Sequence, residues 1–542
     1  MDGARSDVKT DSVPRLSAVG AQGWSRVRRV YNMQDRVKTS EHQDGVGDRV
    51  DGKEASSSVD GIVHRWRDVL RQKLHRDDRL KSNLKQHKLH IWEDYGSVRR
   101  TSVELMGESR FWHGKDYCNC VFKDWIQLDK PLDDFIDRHV TPRMPWHDIG
   151  VAVQGGTARD VARHFIQRWN FAWTEKKKKS IMSFPKLLPK SLSAPTRPPV
   201  QLKGFLKANV QLLRSASDWS AGIKEPEKSI HEAYIDTINN SKHYIYIENQ
   251  FFVSCADDKT IFNGIGDAIT NRIIKAYREK QRFRVYVVVP LLPGFEGDLT
   301  TGGGNAIQAV MHFNYRTICR GKYSIVERLK DEMGEMWMHF ISFCSLRTHA
   351  ELGGRPITEL IYVHSKMLIA DDRTVIIGSA NINDRSMLGR RDSELAVVVS
   401  DTEFVPSTMN GQPYEAGIYA GSLRNNCFRL VLGLLDQPDV DISDVVSDHF
   451  FKDIWTTTAA RNTTIFDKVF KCIPSDFFLN SEQLACKDSH DCLAEQDGDK
   501  ARQKVKDVHG FLVQFPLFFL QEENLMPAIH TKEGIMPTEL WT

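Results

Sequence analysis

The sequence contains no long apolar run and no surplus of one charge. Its 542 residues include 74 basic and 71 acidic side chains, which leaves a formal charge of +3. The most apolar segment, residues 511–520, is broken by Gln514 and Pro516 and is too short to span a bilayer. The start of the chain is polar and charged, unlike a signal peptide. We therefore expect a soluble or peripheral protein that meets anionic surfaces through local basic clusters.

The cysteines form neither a disulfide framework nor a zinc site. There are nine, an odd and scattered set, and Cys118 and Cys120 have no second pair of Cys or His at metal-site spacing. This usage is typical of a reducing compartment. We therefore predict a cytoplasmic protein with no metal site.

Composition divides the chain into three parts. Residues 1–105 are charged and show little apolar periodicity, which predicts a disordered segment or a variable insertion. Residues 106–200 hold a predicted strand at 145–153 and a helix at 157–169, followed by a linker. Residues 201–542 form the remaining, largest part.

Strands and helices alternate after residue 201, and this order predicts an α/β fold with helices covering a sheet. The predicted strands lie at 210–213, 244–247 and 285–289, and the predicted helices at 230–238, 260–277, 305–319 and 416–435. The charged stretch 486–506 is predicted to be a loop or an exposed helix.

One motif carries the chemistry. His364, Lys366 and Asp371 follow the pattern H-x-K-x-x-x-x-D, and Ser379 and Asn381 follow in G-S-x-N. The pattern predicts two strands joined by a turn, with the imidazole and the ammonium on one face of the first strand. A lysine can neutralise phosphate oxygens while a histidine exchanges a proton or attacks phosphorus. Ser379 and Asn381 share a face of the second strand and can add hydrogen bonds to the same phosphate.

An isolated H-x-K tripeptide is more often part of a surface hairpin than of a site. His113 and His530 begin two further examples, but neither has an Asp five residues after the Lys. At His364 the added Asp and the downstream G-S-x-N favour a functional site.

A faint internal similarity points to two related halves. Residues 147–153 and 391–399 each run from a carboxylate directly into an apolar strand. Two such copies are typical of repeated halves that meet at a shared site.

Together these features resemble the His-Lys-Asp (HKD) superfamily of phospholipase D, and the eukaryotic signalling enzymes in particular. The resemblance runs from about residue 108 to 542, without 486–506. It implies a mixed β-sheet sandwich flanked by helices, with one complete half and a remnant of the first half. The flanking segments that carry it are 245–252, 290–297, 383–387 and 540–542.

The resemblance assigns a role to each residue of the motif. His364 is expected to act as the general acid and then as the base that activates water. Lys366 and Asn381 are expected to hold phosphate oxygens, with Ser379 nearby, and Asp371 to brace the motif from its turn.

Two further carboxylates gain roles from the resemblance. Asp148 is expected to hydrogen-bond His364 and fix its tautomer, and Glu394 to do the same for a partner histidine.

The family uses two such motifs around one site, and this sequence has one. None of the other 18 of its 19 histidines begins a complete motif. One imidazole cannot serve both sides of phosphorus, so we expect little hydrolysis by the chain alone. A truncated gene model is the favoured explanation, ahead of a natural short isoform or a half that docks with a complementary half.

A basic cluster indicates contact with membranes. Arg159 and Arg163 lie four residues apart on the predicted helix, and Lys176, Lys177, Lys178 and Lys179 follow in the predicted linker. The resemblance implies phosphoinositide binding by Arg159 and Arg163 on the cytosolic face of membranes, and small GTPases of the Arf or Rho type as partners. A solvated helix face is the alternative. Nucleic acid is not expected, because no interleaved basic and aromatic stripe is present.

The implied reaction is hydrolysis of phosphatidylcholine to phosphatidic acid and choline through a phosphohistidine, with alcohols able to replace water. It requires no cofactor. Two alternatives stay open: a non-catalytic fragment that binds membranes or GTPases and modulates the full enzyme, and a phosphodiesterase acting on another diester.

Overall fold

The computed structural model describes most of the chain from residue 141 onward. The described residues are 129–130, 141–177, 184–188, 204–254, 260–295, 299, 306–486, 492–527 and 532–542. The predicted insertion at 1–105 lies outside them, as do His113 and His530 and most of the linker.

The elements of the described residues alternate as the sequence predicts. The strands are β1 (Trp146–His147), β2 (Ala208–Ala216), β3 (Glu227–Lys228), β4 (Tyr244–Asn249), β5 (Arg284–Val288), β6 (Ile341–Leu352), β7 (Arg355–Leu360), β8 (Tyr362–Val363), β9 (Lys366–Ala370), β10 (Thr374–Gly378), β11 (Glu394–Asp401), β12 (Phe404–Met409), β13 (Gln412–Gly417) and β14 (Leu512–Gln514). The α-helices are α1 (Gly156–Lys177), α2 (Asp218–Ala221), α3 (Ser229–Asn240), α4 (Ile265–Arg278), α5 (Ala306–Ile318), α6 (Ile325–Met333), α7 (Asp384–Met387), α8 (Ile418–Leu432), α9 (Thr457–Phe470), α10 (Ser481–Ala485), α11 (Leu493–Gln496), α12 (Gly498–Val505) and α13 (Lys532–Ile535). Shorter 3₁₀ turns lie at Gly334–His339 and Thr538–Leu540, and a π-helix at His449–Thr456.

A ten-stranded mixed sheet organises the fold. Its strands follow the order β14-β6-β5-β4-β9-β10-β11-β2-β3, and β7 pairs with β6. The β4–β5 and β5–β6 pairs are parallel, whereas β4–β9, β9–β10, β10–β11 and β11–β2 are antiparallel. The predicted α/β class, a mixed sheet flanked by helices, is confirmed.

Alternating side chains give the sheet two buried faces. In β4, Ile247 packs into one core with Ile269 of α4. Tyr246 points to the opposite core, where its ring meets that of Phe428 of α8 edge-on at 4.8 Å. Period-2 alternation places successive side chains on opposite faces, so each layer of helices covers one face.

Several predicted boundaries are wrong. The strand expected at 145–153 is only Trp146–His147, because residues 148–154 leave the sheet after pairing with β8. Helix α1 continues through Lys176 and Lys177, which the sequence placed in a loop. The helix expected from residue 260 begins at Ile265, after Gly264 in a left-handed conformation at φ 62°.

The stretch 486–506 forms two helices in its described part rather than a loop. These are α11 and α12, and Ala501 and Val505 of α12 pack against Ile465 and Val469 of α9. None of the helices in the described ranges combines the length and the apolar character that a bilayer span requires.

Candidate active site

The motif residues gather at one end of the sheet because neighbouring strands run in opposite directions. Lys366 begins β9, Ser379 follows the end of β10, and Glu394 begins β11. The C-terminal end of β4 lies at the same place, since Asn249 pairs with Lys366. A side chain on Gly378 would lie 2.4 Å from the carbonyl oxygen of Leu395, so glycine permits this close approach of β10 to β11.

His364 is held by a carboxylate from far away in the sequence. Its Nδ1 lies 2.6 Å from Oδ2 of Asp148, and its side chain is 14% exposed. Burial raises the pKa of Asp148, but the hydrogen bond and charge of His364 and the charge of Lys366 outweigh it and lower that pKa. An ionised carboxylate only accepts, so Nδ1 carries the donated proton and Nε2 faces away from Asp148. The ring of Trp146 lies 4.8 Å from the imidazole.

Lys366 is a buried ammonium group with two acceptors. Its Nζ donates to Oε1 of Gln250 at 2.7 Å and to the carbonyl oxygen of His364. The side-chain amide of Gln250 in turn donates to the hydroxyl of Tyr362 at 2.8 Å. Burial lowers the pKa of Lys366 to about 8, against the opposing charges of Asp148 and Glu394. The ammonium therefore lies in the combined field of both carboxylates.

The turn between β9 and β10 is fixed by Asp371. Its carboxylate accepts hydrogen bonds from the backbone N–H groups of Lys242, His243 and Tyr244 at 2.7, 2.7 and 3.0 Å. Asp371 has a positive φ of 54°, which short polar side chains tolerate better than most. The motif is thus tied at its distal end to the start of β4.

Glu394 lies beside two hydroxyl groups. Ser379 and Ser386 donate to its carboxylate at 2.6 and 2.8 Å. Burial raises the pKa of Glu394 to about 7, although both serine hydrogen bonds act in the opposite direction. No histidine of the described residues forms a recorded hydrogen bond with this carboxylate. Its contacts here are therefore serines, and its expected contact with a partner histidine stays a prediction.

Comparison with known proteins decides the family. The phospholipase D family profile matches residues 119–346 and 340–432. Phospholipase D1 of Mus musculus is 65% identical over 452 residues, and phospholipase D2 of Bos taurus is 56% identical over 439. The chain belongs to the phospholipase D family.

The two phospholipase D relatives are much longer than the part matched. The alignments cover 83% and 81% of this chain but 42% and 47% of the relatives. Among solved structures, the phospholipase D family member Nuc of Salmonella typhimurium is 16% identical and covers 41% of this chain and 91% of its own, at a TM-score of 0.21. That score is too low to support an argument.

The other predicted site residues, Asn381, Arg159 and Arg163, take no part in the hydrogen bonds described for His364, Lys366 and Glu394. Asn381 follows β10 as expected, and its buried Oδ1 has no hydrogen-bond partner, so it is available to a ligand that donates a hydrogen bond. Arg159 and Arg163 lie on α1, and Arg163 forms an ion pair with Asp160. This pair partly neutralises the basic face expected from the sequence.

Sequence reasoning gave no role to Gln250 or to Glu248. Glu248 lies near the end of β4, a fully buried strand, and Gln250 directly follows that strand. The run of polar residues after the apolar start of this segment indicates buried polar groups, and such groups need hydrogen-bond partners.

Proposed function

We propose that this chain supplies one half of a phosphodiesterase site that hydrolyses phosphatidylcholine to phosphatidic acid and choline. The observation that carries the proposal is the alignment of Asp148, His364 and Lys366: a carboxylate on Nδ1 of the imidazole, Nε2 directed away from that carboxylate, and an ammonium group in the next pleat. A histidine whose orientation is fixed by a carboxylate at Nδ1 is suited to proton transfer through Nε2.

In the first step a histidine from a second motif attacks phosphorus. A nitrogen–phosphorus bond forms, and the bond from phosphorus to the choline oxygen breaks. His364 donates the Nε2 proton to that oxygen, so that choline leaves as a neutral hydroxyl at its reacting end. Lys366 and the side-chain amide N–H groups of Asn381 donate to the non-bridging oxygens, and the positive charge of Lys366 stabilises the charge that builds on them.

In the second step His364 acts as a base. Its Nε2, now unprotonated, takes a proton from water, and the oxygen of that water attacks phosphorus. The nitrogen–phosphorus bond breaks, phosphatidic acid forms and both histidines return to their starting states. An alcohol in place of water gives transphosphatidylation by the same route.

A single motif supports only one side of this reaction. Attacking and leaving groups lie on opposite sides of phosphorus, and His364 is the sole histidine of the sequence in a complete motif. General acid–base assistance contributes about 10²–10⁴-fold, and loss of the covalent route removes more. We therefore expect little turnover until a second motif is supplied.

Membrane contact is part of the same proposal. Residues 156–200 contain ten Arg and Lys against two Asp and Glu, which favours anionic lipid. We propose that Arg159 and Arg163 bind phosphoinositides there, with Arg163 exchanging Asp160 for a phosphate, and that Arf- or Rho-type GTPases are partners at the cytosolic face of membranes.

An apolar ledge formed by α1 and the segment 184–188 supports this contact. The ledge consists of Phe165, Phe184 and Leu188, which are 57%, 57% and 86% exposed. Trp169 and Trp173 donate to backbone carbonyls of the 184–188 segment at 3.0 and 2.8 Å and hold it against the helix. Exposed apolar side chains on a rigid support, within a basic region, are suited to a lipid interface.

The test is complementation. The chain is mixed with a fragment of a relative that contains the other motif, and choline release is measured from phosphatidylcholine vesicles containing phosphoinositide. Release that needs both pieces and is abolished by His364→Ala supports the proposal. A substrate panel of other diesters, run in parallel, tests the alternative substrate class.

Two other outcomes contradict it. Release by the chain alone, abolished by His364→Ala, would mean that one chain or two copies complete the site. Vesicle or GTPase binding with no turnover after complementation would favour the non-catalytic alternative, a fragment that modulates the full enzyme.

A further inference from the structure

Glu248 is a carboxylate in the core of the sheet. It is fully buried and lies in the centre of the mixed sheet, near the C-terminal end of β4. Burial of an ionised carboxylate costs on the order of several kcal/mol of folding free energy, unless an opposite charge and hydrogen bonds compensate. The hydrogen-bond partners of Glu248 therefore indicate how its burial is compensated.

Those partners are an imidazole and a phenol. Nε2 of His147 lies 2.8 Å from Oε2 of Glu248, and the hydroxyl of Tyr246 donates to Oε1. Burial lowers the pKa of His147, but the charge and hydrogen bond of Glu248 outweigh it and raise that pKa. Burial raises the pKa of Glu248, but the charge and hydrogen bond of His147 and the hydrogen bond of Tyr246 act against burial, and the pKa is lowered overall. Each group therefore favours the charged form of the other.

His147 lies at a critical place in the backbone. Its strand, β1, has two residues and, among the described strands, pairs with β8 alone. The N–H of His364 also donates to the carbonyl oxygen of His147 at 2.8 Å. Residues 148–154 then leave regular structure, and Val151 is exposed. The side chain of His147 is therefore an anchor next to the point where the chain leaves the sheet.

The residue at that point is Asp148. Its carboxylate is 43% exposed and its recorded contacts are Nδ1 of His364 at 2.6 Å and the N–H of Ile149. An exposed carboxylate at the end of a two-residue strand keeps such a short contact only if its backbone is fixed. The backbone on its N-terminal side is fixed by the His147–Glu248 pair.

We propose that the buried His147–Glu248 ion pair is a positioning element for Asp148, and through it for the imidazole of His364. The proposal rests on the proposed function for the meaning of the His364–Asp148 contact, but its test does not require turnover. His147 and Glu248 are positioning residues: both act on the orientation and tautomer of His364.

Histidine-selective ¹⁵N labelling of the 542-residue chain gives the test. The Nδ1 proton of an imidazole that donates to a carboxylate resonates far downfield, and the Nδ1 and Nε2 nitrogen shifts report the tautomer. The His364 signals are identified by their loss in His364→Ala. Asp148→Asn provides the reference for a broken contact.

We expect His147→Ala and Glu248→Gln to remove the downfield His364 signal as Asp148→Asn does, in chains that still unfold cooperatively. His449→Ala, which removes an exposed histidine paired with Asp453 at 3.0 Å, is the matched control and leaves the signal unchanged. If His147→Ala does not fold, Glu248→Gln, which keeps the shape of the side chain, decides the matter.

A folded His147→Ala or Glu248→Gln chain that keeps the full His364 signal would overturn the proposal and leave the pair a purely stabilising one. In the complementation assay the same changes are expected to lower kcat and leave KM unchanged. Absence of turnover after complementation would count against the proposed function alone, because the His364 signal is measured without substrate.

Discussion

The imidazole of His364 and the carboxylate of Asp148 lie 2.6 Å apart although 216 residues separate them in the sequence. The contact joins the short β1–β8 pair to the start of the motif. Because the carboxylate accepts at Nδ1, it leaves Nε2 as the nitrogen that can face a substrate.

Replacement of Asp148 by Asn is expected to lower kcat of the complemented enzyme by about 10²–10⁴-fold, the usual contribution of acid–base assistance. An amide can donate to Nδ1, which would favour the wrong tautomer of His364. Choline release from phosphatidylcholine vesicles measures the effect. Asp453→Asn, at an exposed carboxylate that also pairs with a histidine, is the control. A kcat within a few-fold of the unchanged enzyme would count against a role for the contact.

The charge of Lys366 predicts how anion binding depends on pH. Burial lowers the pKa of this lysine to about 8, so its ammonium loses a proton as the pH rises through about 8. Affinity for sulfate, whose own charge is constant in this range, should therefore fall between pH 7 and 9, as calorimetry can measure.

Two variants test that assignment. Lys366→Arg keeps its charge at every accessible pH, so binding should persist to higher pH. Lys366→Met should bind weakly throughout. A fall in affinity with the same midpoint in Lys366→Met would show that another group is responsible.

Local patterns in the sequence predicted the motif well. Apolar residues on both sides of Asp371 indicated two strands and a turn, and the structure has β9 and β10 there. The resemblance to phospholipase D added Asp148, which no local pattern could have linked to His364.

The sequence did not predict the contacts between distant segments. The His147–Glu248 pair joins residues 101 positions apart, and the bond of Lys366 to Gln250 spans 116. Periodicity identifies which side chains are buried but not which buried polar groups meet. The strand expected at 145–153 is shorter for a related reason, because its apolar residues continue beyond the point where the described part of the chain offers a pairing strand.

Glu394 predicts a dependence of stability on pH. Burial raises its pKa to about 7, so between pH 4.5 and 7 the folded chain holds a proton that the unfolded chain has lost. The free energy of unfolding should therefore decrease as the pH rises through this window and level off above it.

Glu394→Gln removes that dependence. The free energy of unfolding of the variant, minus that of the unchanged chain, should increase from pH 4.5 to 7 in urea titrations. Glu232→Gln, at an exposed helix position, is the control. A difference that is constant over the window would mean that the carboxyl group of Glu394 titrates at its ordinary pKa.

The apolar ledge predicts a measurable part of membrane affinity. Burial of one large apolar side chain contributes about 1.5–3 kcal/mol, and insertion into the lipid interface realises part of it. Phe184→Ser with Leu188→Ser should therefore weaken binding to vesicles of phosphatidylcholine and anionic lipid by at least about tenfold in a sedimentation assay.

The control for the ledge is Phe477→Ser, because Phe477 is also a highly exposed apolar residue, at 75%, but lies far from the ledge residues in the sequence. Higher salt should weaken binding of the unchanged chain and of the ledge variant by the same factor, since screening acts on the basic residues and not on the apolar ones. If the ledge variant binds as tightly as the Phe477→Ser chain, the basic residues of 156–200 alone account for the attachment, and the ledge has no part in it.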